Sequence, residues 1–182
     1  MRRFSVGQRS LFLLAAGGLI AVPGVIVPAL AQGIARSQTA SASASDAMRQ
    51  LSQLAGGVWV GRGTLEGLGT YRSERRFSRA PDGSVVSTHI MLVGDRVLGR
   101  DSTTIRSNAE GVARLEAVDQ MGRVTHAVLR TESPPGRIIF ENSRWRAEYS
   151  RITRGNFTLE FSVRRENVWV SHLRTEHRRG GT

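Results

Sequence analysis

The residues of this sequence with the widest chemical range are its four histidines, because an imidazole can ligate a metal or exchange a proton near neutral pH. His172 and His177 are five residues apart, a spacing that places two side chains on opposite faces of a strand. We therefore do not expect them to chelate one metal ion. His89 and His126 fall in separate predicted strands, and the sequence leaves open whether they meet. The chain has no cysteine, which excludes disulfides, thiolate metal sites and cysteine nucleophiles.

Other signatures of catalysis are weak. No serine lies in the Gly-x-Ser-x-Gly elbow of hydrolases. The alternation along their strands predicts that Glu148 and Glu160 face outward, which does not indicate a glycosidase pair. The glycines from Gly56 to Gly69 lead into a strand, whereas a phosphate loop leads into a helix. Asp101 lies in a polar strand, which indicates either a polar cavity or, the alternative we favour, a thin sheet edge. We identify no catalytic residue and expect a non-catalytic protein without a cofactor.

The first 31 residues have the three parts of a secretory signal: a basic start, an apolar run from Leu11 to Val27 and a small-x-small site. Glycine and proline interrupt the apolar run, which favours cleavage between Ala31 and Gln32 over a retained membrane anchor. These features predict a protein that is secreted or located in the bacterial periplasm. An adjacent arginine pair leaves open whether export follows the Sec or the twin-arginine route.

Residues 32–45 are rich in serine and alanine and contain almost nothing that could be buried, so we predict a disordered linker. Ser45 and Asp46 then provide a predicted N-cap. Apolar residues at helical spacing predict a short helix after this cap: Met48, Leu51 and Leu54. A helix of this length is not stable alone, so we expect it to dock on the following domain, which we place at residues 46–180.

From Val58 onward, turn signals separate short segments in which apolar and polar residues alternate. The clearest alternation runs from Phe157 to Val163. No helical period interrupts the segments, so neighbouring strands must form hairpins. The sequence therefore predicts an all-β fold: a single up-and-down antiparallel barrel of about ten strands, preceded by the helix. A closed barrel of this size has room for a small ligand.

Large aromatic residues with inward parity identify the walls of the expected cavity. Four of them are predicted to contact a small, mainly apolar ligand: Tyr71, Trp145, Tyr149 and Phe161. Trp59 follows the helix directly and can cover one end of the core. The sequence thus predicts an apolar cavity with Trp59 at its base.

The segment Gly57-Val58-Trp59, on the first strand after a short helix, resembles the calycin superfamily, whose lipocalin members open with Gly-x-Trp at this place. From Leu51 to Arg179 the chain is similar in pattern to bacterial lipocalin-like proteins of the periplasm. The resemblance implies a lipocalin-like or fatty-acid-binding-protein-like barrel in which an arginine of the last strand stacks over Trp59. We assign that place to Arg174, and the alternatives are Arg178 and Arg179.

A second resemblance is to the nitrobindin-type haem barrels. Those proteins open with Trp-x-Gly-x-Gly, which matches Trp59 to Gly63, and close with a His-Leu segment, which is similar to His172-Leu173. This resemblance implies haem as an alternative ligand, with His172 as the axial ligand of the iron.

The basic residues of the chain are all arginine, and the net charge is +11. Removal of the leader with its three arginines leaves 23 arginines against 15 acidic residues, a net charge of +8. The arginines alternate along the strands, which favours a solvated outer face. The alternative is a basic envelope protein that docks on anionic lipid or glycan; we do not expect a nucleic-acid partner.

Overall fold

The computed structural model describes residues 43–65 and 69–180, in which one helix precedes ten strands. The predicted leader, its cleavage site between Ala31 and Gln32 and most of the predicted linker lie outside the described residues. The elements are α1 (Ala44–Ser52), β1 (Gly57–Leu65), β2 (Gly69–Arg79), β3 (Val85–Val93), β4 (Arg96–Ser107), β5 (Ala113–Asp119), β6 (Val124–Leu129), β7 (Arg137–Glu141), β8 (Trp145–Ser150), β9 (Asn156–Arg165) and β10 (Val168–Arg179). Within these residues no helix has the length and apolar character needed to cross a membrane.

Helix α1 begins earlier than its sequence pattern predicts. Ser43 is the N-cap, and its Oγ accepts a hydrogen bond of 3.1 Å from the backbone N–H of Asp46. The predicted cap at Ser45 and Asp46 is therefore wrong, and residues 44 and 45, which the predicted linker included, belong to α1. The carboxylate of Asp46, three residues further on, accepts a second hydrogen bond from the Ser43 hydroxyl at 2.9 Å.

Every strand pairs antiparallel with its neighbour in the chain, and β1 pairs with β10, so the sheet closes into a barrel. The closing register runs from Trp59 opposite Arg179 to Arg62 opposite Glu176. The all-β fold, the up-and-down order and the strand number predicted from the sequence are confirmed. The turns form where the sequence provides turn chemistry; Gly83, for example, has a φ of 82°, which an L side chain rarely adopts.

The two ends of the barrel differ. At the closed end, α1 packs against β3 and β4. Leu51 of α1 and Leu54, which follows the helix, join the core around Trp59, Phe77 and Phe157. At the opposite end, which we call the open end, lie the turns β3–β4, β5–β6, β7–β8 and β9–β10. The apolar core therefore fills the closed end and leaves space toward the other.

Strand β6 resolves an ambiguity in the sequence pattern. Ala127 and Leu129 are buried, whereas Val124, His126 and Val128 are exposed. His126 thus lies on the outer face of the barrel, 3.8 Å from a carboxylate oxygen of Glu116. It does not meet the buried His89.

Candidate functional site

A cavity of about 420 Å³ lies inside the barrel. Most of its lining is apolar, including Leu65, Met91, Leu115, Leu159 and Leu173. Three further lining residues, Arg123, Thr125 and His172, are exposed near the open end. The cavity therefore reaches solvent at the open end, opposite α1.

Three of the four aromatic residues predicted to form walls line this cavity: Trp145, Tyr149 and Phe161. The rings of Trp145 and Phe161 stack with centroids 5.6 Å apart. Tyr71 is buried but is not among the lining residues. Its ring lies across Gly63, where a Cβ would collide with the tyrosine, and its hydroxyl hydrogen-bonds to Thr175 Oγ1. The predicted wall at Tyr71 is thus corrected: this side chain joins β2 to β10.

Trp59 lies at the closed end, as the sequence predicts. The side chain is fully buried, its Nε1–H donates to the carbonyl of Leu54 at 2.7 Å, and its ring meets Phe157 edge-on at 5.2 Å. The hydrogen bond satisfies the indole donor and fixes the end of the helical segment against the barrel. Trp59 therefore connects the segment after α1 to the core.

The arginine over Trp59 is Arg179 and not Arg174. The guanidinium of Arg179 lies 5.5 Å from the indole centroid and donates to the carbonyls of Ala55 and Gly56 at 3.2 and 3.1 Å. Gly57 makes room for it, because a Cβ there would lie 2.6 Å from Arg179 Nε. Arg179 is the register partner of Trp59, which explains the correction.

Arg174 occupies a different place. It lies further from the closed end, opposite Glu160 in the register, and its exposed guanidinium is 3.6 Å from that carboxylate. It therefore contributes an outer-face ion pair and not a cover for the base of the core.

One wall of the cavity is polar. Arg75 on β2, His89 on β3 and Asp101 on β4 are successive register partners, so they form one row across three strands. All three line the cavity, together with Thr103. Asp101 was expected at a thin sheet edge; it instead faces the interior, which is the alternative that its polar strand left open.

The row belongs to a chain of hydrogen bonds that continues into β10. His89 Nδ1 is 2.6 Å from Asp101 Oδ2, and His89 Nε2 is 2.9 Å from Ser73 Oγ. The same serine oxygen is 2.9 Å from His177 Nε2. Ser73 and His177 are each 1% exposed, so the chain reaches from the cavity wall into the closed interior.

The protonation states determine which atom donates in each of these hydrogen bonds. Burial opposes ionisation of Asp101, but the hydrogen bond from His89 and the charge of Arg75 outweigh it and lower the pKa of the carboxyl. Burial lowers the pKa of His89, and it lowers that of His177 to about 3, so both imidazoles are neutral at neutral pH. The Asp101 carboxylate can only accept, so His89 Nδ1–H donates to it. Ser73 then donates to His89 Nε2 and accepts from His177 Nε2–H.

Two buried nitrogen atoms of the cluster have no hydrogen-bond partner among residues 43–65 and 69–180: Arg75 Nε and His177 Nδ1. Arg75 Nη1 donates to Ser87 Oγ at 2.8 Å, and Nη2 is 3.7 Å from Asp101 Oδ1. The Arg75 nitrogen is a donor, whereas the His177 nitrogen is an acceptor because the proton of that neutral imidazole is on Nε2. A buried polar atom without a partner is costly. Of the two, Arg75 belongs to a residue that lines the cavity.

His172 lies at a β-bulge, because the β9–β10 register shifts between Ser171 and Leu173. The extra residue breaks the alternation, so His172 lines the cavity although His177 also faces the interior. The expectation that the two lie on opposite faces is therefore wrong. In the part of the chain that the structure describes, no group of three metal-ligating side chains is placed to hold an ion.

Sequence reasoning missed Ser73, Arg75 and His177 as members of a site. A signal was present, because Ser73 and Arg75 share the inward parity of Tyr71 and Phe77 on β2. Polar residues at inward positions of a barrel strand indicate a polar cavity wall.

Comparison of the chain with protein-family models gives no match, and comparison with curated proteins gives none either. The fold and cavity define a closed antiparallel barrel of ten described strands with one polar wall in an apolar interior.

Proposed function

We propose that this protein is an exported calycin-type barrel that binds a small, mainly apolar molecule. The observation that carries the proposal is the cavity of about 420 Å³, whose size falls within the range of roughly 300–1,000 Å³ typical of ligand pockets. Its walls of leucine and aromatic side chains favour an apolar ligand, and its exposed mouth provides an entry path. The calycin likeness of the helix, Gly57 and Trp59 agrees with this role.

The polar wall narrows the class of ligand. Arg75 lines the cavity and its guanidinium carries only hydrogen-bond donors, so the ligand should carry one oxygen that can accept a hydrogen bond. The guanidinium already has Asp101 as its counter-ion, and Asp119 also lines the cavity. A carboxylate would add an uncompensated buried charge, which is costly. A carbonyl, ether or hydroxyl group on an apolar body is the chemistry that this cavity favours.

Binding of the neutral fluorophore N-phenyl-1-naphthylamine tests the proposal. We expect saturable binding to the wild type and a loss of affinity of about tenfold or more in Ala117→Trp, because the larger side chain would fill part of the cavity. Val128→Trp is the matched control, because Val128 is exposed on the outer face. A wild type that does not bind the probe, or equal affinities in both variants, would contradict the proposal. If the wild type binds the probe as expected, mass spectrometry of the molecules that co-purify with it identifies the natural ligand.

Haem is a second candidate, favoured by the position of His172. Among the described histidines, His89 and His172 line the cavity, and both ring nitrogens of His89 are engaged by Ser73 and Asp101. His172 with Leu65 and Leu173 beside the mouth fits an axial ligand on an apolar wall. Titration with haemin should give a Soret band at one equivalent that His172→Ala removes and the outer-face variant His126→Ala retains. Broad uptake that is equal in both variants would exclude this candidate.

A further inference from the structure

The hydrogen-bond chain of the polar wall has the order of a catalytic triad. A nucleophile, a base and an orienting carboxylate are recognised by two contacts: hydroxyl to imidazole and imidazole to carboxylate. Ser73, His89 and Asp101 make both, at 2.9 and 2.6 Å. The direction of donation is also the required one, because the ionised carboxylate fixes the tautomer that leaves His89 Nε2 as an acceptor for the serine proton.

We propose that Ser73 is the nucleophile of a hydrolytic site for small apolar esters, with His89 as general base and Asp101 as the positioning carboxylate. The three residues lie on the adjacent strands β2, β3 and β4, a rigid support for a catalytic group. The proposal rests on the proposed function in one respect, since the ester must enter the same cavity. It does not require a stored ligand.

The reaction needs no co-reactant except water. Ser73 Oγ attacks the ester carbonyl carbon while its proton passes to His89 Nε2. The bond from the carbonyl carbon to the alkoxy oxygen then breaks, and the alcohol leaves with that proton. Water attacks the acyl-serine and gives a proton to His89; collapse releases the carboxylic acid and returns this proton to Ser73. The carbonyl oxygen carries negative charge at both steps, and Arg75, which lies two residues from Ser73 on the same face and lines the cavity, provides a positive charge that can stabilise it.

Access to Ser73 depends on Met91. Ser73 is buried and does not itself line the cavity, but its register partner Met91 does. Directly opposite side chains of neighbouring strands are about 5 Å apart, so the methionine lies beside the serine at the cavity wall. Its unbranched side chain can change rotamer at low cost. Met91→Ala should therefore accelerate reaction at Ser73.

Labelling with an alkyl fluorophosphonate, read by peptide mass spectrometry, tests the nucleophile directly, and hydrolysis of p-nitrophenyl butyrate tests turnover. We expect covalent modification of Ser73, no labelling in Ser73→Ala, and hydrolysis slower by about a hundredfold in His89→Gln and Asp101→Asn. Ser162→Ala is the matched control, because Ser162 is another buried serine that does not line the cavity. Circular dichroism of each variant separates loss of reactivity from loss of fold.

The result that would overturn the proposal is an unlabelled Ser73 in both the wild type and a folded Met91→Ala. Hydrolysis that persists in Ser73→Ala would overturn it as well. The fluorophore assay distinguishes the two proposals. If the wild type binds the fluorophore but Ser73 does not react, only the proposed nucleophile is rejected. If the wild type neither binds the fluorophore nor reacts, the ligand-binding function and the nucleophile are both rejected.

Discussion

Replacement of His177 by glutamine should weaken the dependence of stability on pH below neutrality. The imidazole of His177 is 1% exposed, stacks on Phe157 with centroids 4.5 Å apart and donates to Ser73 from Nε2. Burial lowers the pKa of this group from 6.5 to about 3, and the charge of Arg75 acts in the same direction. The folded protein therefore holds a histidine that stays neutral where the unfolded chain would protonate it.

The sign of the effect follows from proton linkage. Below pH 6.5 the unfolded chain binds a proton at His177, whereas the folded chain does so only near pH 3, so stability falls as the pH falls through this window. For these two pKa values, acidification from about pH 7 to about pH 5 removes about 2 kcal/mol of unfolding free energy. His89, whose pKa burial also lowers, adds to the loss. The carboxyls with lowered pKa, such as Asp101, titrate mainly at more acid pH.

Urea unfolding followed by tryptophan fluorescence at about pH 7 and about pH 5 measures this difference. His177→Gln keeps an N–H donor for Ser73 but does not titrate, so we expect the wild-type difference to shrink by about 2 kcal/mol. His126→Gln is the control, because His126 lies on the outer face and should leave the difference unchanged. A wild type of equal stability at both pH values, or a His177→Gln variant with the wild-type dependence, would refute the reasoning.

Three further predictions concern stability. Arg179→Ala should lower the unfolding free energy by about 1 kcal/mol, because it removes the guanidinium over the β1 tryptophan and its two bonds to carbonyls; an unchanged urea midpoint would contradict this role. Gly63→Ala should cost about 1–3 kcal/mol through collision with a buried tyrosine, whereas Gly99→Ala, which meets open space, should not; equal melting temperatures would disprove the steric argument. Asp101→Asn should cost about 2 kcal/mol because it reduces the compensation of a buried guanidinium, and more than Asp119→Asn, whose arginine partner is exposed; the reverse order in calorimetry would be evidence against it.

The fold could be predicted from the sequence because its signals are local. Turn chemistry at segments such as 81–83 and 94–95 marks the ends of strands, and alternation from Phe157 to Val163 marks the buried face. Closure of the sheet into a barrel could be predicted because the alternating strands each have one mainly apolar face. The start of α1 was placed wrongly because several serines that alternate with alanine can each cap a helix, and the choice of Ser43 depends on its bond from the backbone N–H of Asp46.

The site depends on information that is not local. The row of Arg75, His89 and Asp101 exists only because of the register of three strands, which the alternation of one strand does not specify. The assignment of Arg174 over Trp59 failed for the same reason. The bulge at His172 adds one residue to β10 and so changes which of the following side chains face inward. The amino-acid composition of the strand does not reveal such an extra residue.

The pairing of β1 with β10 constrains the order in which the chain can fold. Trp59 and Arg179 are 120 positions apart in the sequence, yet they are neighbours across the seam of the barrel. A chain that emerges from the ribosome with its first nine strands can form hairpins, but it has two unpaired edges and lacks the side chains that β10 contributes. Contacts between distant segments are slow to form, so stability should be acquired in one late step. Until that step the edges are exposed to pairing with other chains, and the newly made protein depends on chaperones or on rapid completion to avoid aggregation.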